Sequence, residues 1–348
     1  MTTAATALGG RNPHPRDAHI HFEEGPHKYT IQGINGVTPD TEFTSVTTLV
    51  HQHFEHFNAK EVIAAMMRNQ KKWNDPVANA KYYGKTAEEI EEMWTNAGRD
   101  AAAKGTEMHY KIECFYNDVD TADVDTASDT PPELKYFKNF HNEHVAGEQA
   151  TLRPYRTEWT VFHEEARIAG SIDMVYEVIT TTATTTAHDP SQGGGTPGGT
   201  PTEHIPIDSA VNSYLRSIPT ATPHNPSNVV PSQGDGPPPS QGDGPPLAIY
   251  DWKRCREIVK TNRGNKFATH PAIEHLPDTN YWHYALQLNI YKYILQTKYD
   301  KTVGDLYIIV LHPEAQNYQR IKLPDLQSEV AELFEERIRN FAAAAAAK

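Results

Sequence analysis

The chain has 348 residues, a formal net charge of −13, two cysteines and no long uninterrupted apolar run. That length suits one large domain or two modest ones. Two thiols are too few for a four-cysteine zinc or iron–sulfur site, and nothing in the sequence is long and apolar enough to span a bilayer as a helix.

In chain order, residues 1–43 read as a tail followed by a hairpin of His19–Phe22 and Lys28–Ile31. The first sixteen residues carry Arg11 and Arg16, no acid and no apolar core. That argues against a secretory signal and leaves a mitochondrial transit peptide open. Sparse cysteine use points to a reducing, intracellular compartment, with nucleus, cytoplasm and mitochondrion unresolved. Ser45–Phe54 reads as a helix. Asn58 with Glu61 marks a capping box opening a second helix to about Gln70, and Thr86 with Glu89 opens a third. This third helix runs to about Tyr116, with a break or bend expected at Gly98 or Gly105. Pro132–Val145 is a further helix. Tyr155–His163 and Ala169–Val178 then read as strands joined by a polar turn, in which His163, Glu164 and Glu165 are expected to be solvated.

Residues 180–246 hold 13 of the 25 prolines and 9 of the 21 glycines, with PSQGDGPP repeated at 231–238 and 239–246. Such composition buries too little apolar surface to offset chain entropy, so a disordered insertion is expected, interrupted by a short helix near Ile207–Ile218. Residues 247–348 resume with a strand in "LAIYDWKR". A helix over Asn280–Lys298, strands over Asp305–His312 and Tyr318–Leu323 and a closing helix over Asp325–Ala346 follow. The predicted class is α/β or α+β, with residues 44–179 and 247–348 forming two halves of one core around a mixed sheet flanked by helices.

Alternation on "IYDWK" places Ile249, Asp251 and Lys253 on one face and Tyr250 and Trp252 on the other. On "GSIDMVY" it places Ser171, Asp173 and Val175 opposite Ile172 and Met174. If these strands pair, Asp173 and Asp251 converge. Two carboxylates at one spot require a cation between them, and hard oxygen ligands suit Mg²⁺ or Mn²⁺. A lysine two residues on brings an ammonium to the same place, a combination fit for metal-assisted phosphodiester hydrolysis. Lys253–Lys266 adds a basic strip of Lys253, Arg254, Arg256, Lys260, Arg263 and Lys266 against the single acid Glu257. Local field, not net charge, decides phosphate binding, so the strip supplies candidate substrate contacts.

"GSID" followed by "DWK" resembles the PD-(D/E)XK nuclease superfamily. "GTEMHYKIE" resembles the Gly-x-x-x-His-x-x-x-Glu helix of its RecB-like branch, with Gly105, His109 and Glu113 in register. "ALQLNIYKYIL" resembles that branch's Gln-x-x-x-Tyr helix, with Gln287 and Tyr291. "SVTTLVHQHFEHF" is similar to the leading helix of mitochondrial genome maintenance exonucleases and their relatives in large DNA viruses, so a viral source stays open. The resemblance implies a restriction-endonuclease-like core and a magnesium-dependent deoxyribonuclease of DNA repair or replication. It implies His109, Asp173, Asp251 and the Trp252 carbonyl as metal ligands, Lys253 as the group orienting the attacking water, and Gln287 and Tyr291 as braces or substrate contacts. The iron–sulfur cluster of some RecB-like nucleases is excluded by the cysteine count. Glu113 is read as orienting His109 or as a surface ion pair, and Glu158 as a further acid beside the site or an exposed strand residue. The implied partner is DNA, single-stranded or with free ends. The expected activity is that of an exonuclease on single-stranded ends, leaving a 5′-phosphate and a 3′-hydroxyl; the alternatives are a structure-selective endonuclease and an inert nucleic-acid-binding scaffold on the same fold, and RNA stays open as the substrate.

Overall fold

Helix starts in this chain are set by side chains that satisfy orphan amides. In the computed structural model, which describes residues 6–119, 130–179, 244–262 and 264–347, Ser45 Oγ accepts from the Thr48 amide and opens α2 (Val46–Gln52). Asn58 Oδ1 accepts from the Lys60 and Glu61 amides and opens α3 (Ala59–Arg68). Glu61 does not return to the Asn58 backbone as a capping box would; it accepts from Asn58 Nδ2 instead. Thr86 and Glu89 form a full capping box at the start of α5 (Ala87–Tyr116). The expected break in α5 is absent: its 30 residues run through Gly98 and Gly105 without interruption. Two short helices were not anticipated, α1 (Thr6–Arg11) and α4 (Gln70–Trp73). The remaining helices are α6 (Pro132–His144), α7 (Asn280–Lys298) and α8 (Gln327–Ala346). The anticipated insertion, with its helix near Ile207–Ile218, lies outside the described residues except for 244–246.

The strands are β1 (Ile20–Glu23) and β2 (Lys28–Ile31), an antiparallel hairpin, then β3 (Thr44–Ser45), β4 (Leu152–His163), β5 (Ile168–Val178), β6 (Leu247–Lys253), β7 (Val303–Val310) and β8 (Gln319–Lys322). A six-stranded mixed sheet runs β3-β5-β6-β7-β8, with β4 paired antiparallel to β5. The fold is thus the mixed α/β arrangement expected. β6 is central, antiparallel to β5 and parallel to β7, so every residue from Leu247 to Trp252 is buried. Parallel pairing of β6 with β7 requires a crossover, and α7 supplies it.

One face of the sheet is covered by α2, α7 and α8, whose apolar residues join Val175, Ile249 and Ile308 in one core. The other is covered by the C-terminal half of α5 and by α6, with Met174, Tyr250 and Trp252 in a second core. Alternation along β5 fails at one point. Ile172 lies in the first core with Val175, not beside Met174 in the second. Opposite this point on β4, Glu158 has a positive φ of 42°, a left-handed conformation inside a strand.

Residues 53–107 form a lobe with a small core of its own, containing Ile63, Tyr82, Ile90 and Trp94. The lobe departs from the first face, where Phe54 packs on His283 of α7 and Glu55 pairs with Lys266. It returns on the second face along α5. At the far end of α5, His109 reaches the Trp252 carbonyl at the end of β6.

In the turn after β4 Glu165 is exposed as expected, whereas His163 and Glu164 are drawn inward. His163 is buried and accepts from the Ala166 amide through Nδ1, while Glu164 is paired with Arg16 at 2.5 Å and Lys298 at 3.4 Å. The N-terminal segment therefore anchors on the sheet, with Asp17 accepting from Arg156 and Trp159 as well.

Candidate metal centre

The register Val175↔Ile249 and Met174↔Tyr250 carries the next pair of inward positions, Asp173 and Asp251, to one place. Asp173 Oδ2 accepts from the Trp252 amide at 3.0 Å, and Asp251 lies beside it. Lys253 Nζ lies 2.7 Å from Asp251 Oδ2 and 4.7 Å from the centre of the Tyr284 ring, which fixes the ammonium from two sides. From α5, His109 points Nε2 at the Trp252 carbonyl, 2.8 Å away, and Nδ1 at Asp173 Oδ2, 3.4 Å away. With Nε2–H donating to the carbonyl, the Nδ1 lone pair faces a carboxylate oxygen, an opposition that a cation or a proton relieves.

Glu158 belongs to the same cluster. One ligand atom from each of His109, Glu158 and Asp173 lies within 4.8 Å of the other two. Its carboxylate is buried and accepts from Ser171 Oγ at 2.9 Å, so it is no exposed strand residue. Glu113, one turn after His109 on α5, is buried too, which removes the surface ion-pair reading.

The electrostatics follow from packing acids together away from water. Burial pushes Asp251 up to about 7 despite the Lys253 ammonium, and Asp173 adds to the push. Burial pushes Glu113 up to about 7. Burial, with Asp173 and Glu113 beside it, holds Glu158 well above the carboxylate range. Burial, aided by Lys253, lowers His109 to about 4, so its imidazole is neutral and able to ligate. Burial opposes the charge on Lys253, but Asp251 and Asp173 outweigh it and raise the lysine. Asp251 Oδ2 has no well-directed hydrogen bond. The donor set is therefore one neutral imidazole nitrogen and several carboxylate oxygens whose mutual repulsion a cation would relieve.

The remaining sequence-derived candidates divide. Tyr291 is buried against the acids and bonded to Gln287. Its ring lies over Gly170, where an added Cβ would sit 2.8 Å from Tyr291 Oη. A glycine inside a strand is the signal for such close approach, and Gly170 is a residue that motif reading passed over. Tyr29 of β2, likewise overlooked, is buried near Glu158 and Tyr291. Lys253 alone among the described bases of the strip is shown paired with the acids. Arg254 turns to a buried pair with Glu133 on α6 at 2.6 Å, Arg256 pairs with Glu314, Lys260 lies over Tyr281 and Lys266 pairs with Glu55. Arg263 lies outside the described residues.

Neither a protein-family model nor any curated protein matches the chain.

Proposed function

We propose that the protein is a divalent-metal-dependent DNA nuclease that acts on single-stranded ends, leaving a 5′-phosphate and a 3′-hydroxyl. The observation that carries this reading is the meeting of Asp173, Asp251, His109 and Lys253 at one buried point, although Asp173 and Asp251 come from strands far apart in sequence. A lysine beside acids that need a cation is the combination that phosphodiester hydrolysis calls for. Asp173, Asp251, Glu158 and His109 would hold Mg²⁺ or Mn²⁺. When bound, the ion would polarise the scissile phosphate and make hydroxide accessible near neutral pH.

The chain's own groups do the rest. Lys253, charged and fixed between Asp251 and Tyr284, holds the attacking water and balances negative charge growing on the phosphate oxygens. Ser171 orients Glu158. Gln287 and Tyr291 brace the wall behind the acids.

The test is incubation with end-labelled linear and closed circular single-stranded DNA, with and without Mg²⁺. The expected result is metal-dependent loss of the linear substrate alone, abolished by Lys253→Ala. Wild-type cleavage rates in purified Lys253→Ala would overturn the mechanism, and cutting of the circle would replace the exonuclease by an endonuclease.

A further inference from the structure

Three aromatic rings stand out among the described residues as largely exposed: Tyr83 at 52%, Phe267 at 43% and Tyr110 at 37%. Tyr110 and Phe267 adjoin residues near the acid cluster, and Tyr83 lies at the far end of α5 from it. Tyr110 follows His109 on α5, Phe267 follows Lys266 in the basic strip, and Tyr83 lies on the lobe. Tyr83 is not a loose residue. Its neighbour Tyr82 is fully buried, accepting from Trp94 Nε1 at 2.9 Å. The same turn is closed by Asn79, which donates to the Trp73 carbonyl, and by Asp75, which accepts from the Val77 and Ala78 amides. A rigid turn thus turns one tyrosine inward and presents the next outward.

Charge is concentrated at the same place. Residues 68–85 carry Arg68, Lys71, Lys72, Lys81 and Lys85 against Asp75 alone, in a chain of net charge −13, and the acids Glu88, Glu89, Glu91 and Glu92 follow at the start of α5. Arg68, Lys71, Lys72 and Lys81 are exposed. Exposed aromatic faces interleaved with bases fit an unpaired nucleic-acid strand, because every base offers a π-face and every phosphate a charge.

We propose that this turn of the lobe, centred on Tyr83, Lys71 and Lys72, is a remote binding surface for single-stranded DNA that leads to the acid cluster. The proposal takes its choice of DNA from the nuclease reading. From Thr86, which caps α5, to His109 is 23 helical residues, about 35 Å at 1.5 Å per residue. A strand spaced at about 3.4 Å per nucleotide covers that distance in about ten nucleotides.

The test is fluorescence anisotropy of labelled oligodeoxythymidylate of five and fifteen nucleotides in EDTA, where nothing is cleaved. Wild type is expected to bind the 15-mer far more tightly than the 5-mer. Lys71→Glu/Lys72→Glu should bind the 15-mer at least tenfold more weakly, with the slope of log affinity against log salt shallower by about 1.4 for two lost phosphate contacts. Tyr83→Ala should weaken it about fivefold or more. Neither variant should alter binding of the 5-mer or the melting shift on adding Mn²⁺. Unchanged 15-mer affinity in the double variant, absence of oligonucleotide binding by wild type, or equally tight binding of a 15-base-pair duplex would overturn the proposal. Failure of the nuclease reading would appear separately, as a wild type that binds the 15-mer but neither responds to Mn²⁺ nor cuts.

Discussion

Asp251→Asn tests the reading of the acid cluster, because it should make the protein more stable while removing its response to metal. Asp251 is lifted from the usual carboxyl value of 3.8 to about 7 in the fold. A carboxyl whose folded value is raised costs nothing below its unfolded value. The cost grows as pH rises between the two values and is complete above the folded one. At about 1.4 kcal/mol per unit, the lift amounts to roughly 4 kcal/mol at pH 7.5. Asparagine keeps the shape without the charge, so in EDTA at pH 7.5 the variant should melt several degrees above wild type. The gain should shrink steadily toward pH 4. Mn²⁺ at one hundred times its dissociation constant should stabilise wild type by about 2.7 kcal/mol, or about 5–10 °C. The variant should show little or none of that shift. Differential scanning fluorimetry with and without Mn²⁺ at pH 7.5 and 5 reads all of these quantities. A variant that melts below wild type in EDTA, or that keeps the full Mn²⁺ shift, would refute the view that Asp251 is a cation ligand held at electrostatic cost.

Gly170→Ala would place a methyl group 2.8 Å from Tyr291 Oη and Cε1 and 3.0 Å from Val46 Cγ2. The expected loss is about 1–3 kcal/mol, read from urea denaturation. Arg16→Ala leaves Glu164 with Lys298 as its longer ion-pair partner and should cost about 3 kcal/mol in the same assay. Burial lowers His163 to about 4, so its contribution is complete above the unfolded value near 6.5 and is lost as pH falls toward 4. Denaturation midpoints at pH 7.5 and 5 should therefore converge in His163→Gln relative to wild type. Replacing residues 180–243 by a short Gly/Ser turn should leave both the melting temperature and the Mn²⁺ shift unchanged, because the Val178 amide donates to the Pro246 carbonyl at 2.8 Å and already fixes the exit against the return.

Strong local signals made most elements legible. The Thr86–Glu89 cap, the unbroken apolar run of β6 and the limits of α7 all follow from residues close in sequence. Asp173 and Asp251 were legible as a pair because period-two alternation fixes side-chain direction once two strands are taken as neighbours. Glu158 was ambiguous because its backbone breaks that alternation, and no local pattern announces a left-handed residue inside a strand. The fate of Arg254 was hidden for a different reason. Its partner Glu133 lies 121 residues away on α6, and a run of bases does not disclose which of them are already paired. Gly98 and Gly105 misled in the opposite direction, because the cost of a glycine inside a helix is small beside the good helix formers, several of them alanines, that surround these two.

The neighbouring positions of Val178 and Leu247 have a practical consequence. Asp173 precedes the stretch between them, and Asp251 and Lys253 come after it. Cutting the polypeptide there gives two fragments, one with His109, Glu158 and Asp173, the other with Asp251, Lys253 and Tyr284. Each fragment holds only part of the acid cluster, and β5 and β6 must pair before Asp173 and Asp251 meet. Separately expressed fragments fused to a pair of interacting proteins should therefore assemble the cluster only when those proteins meet.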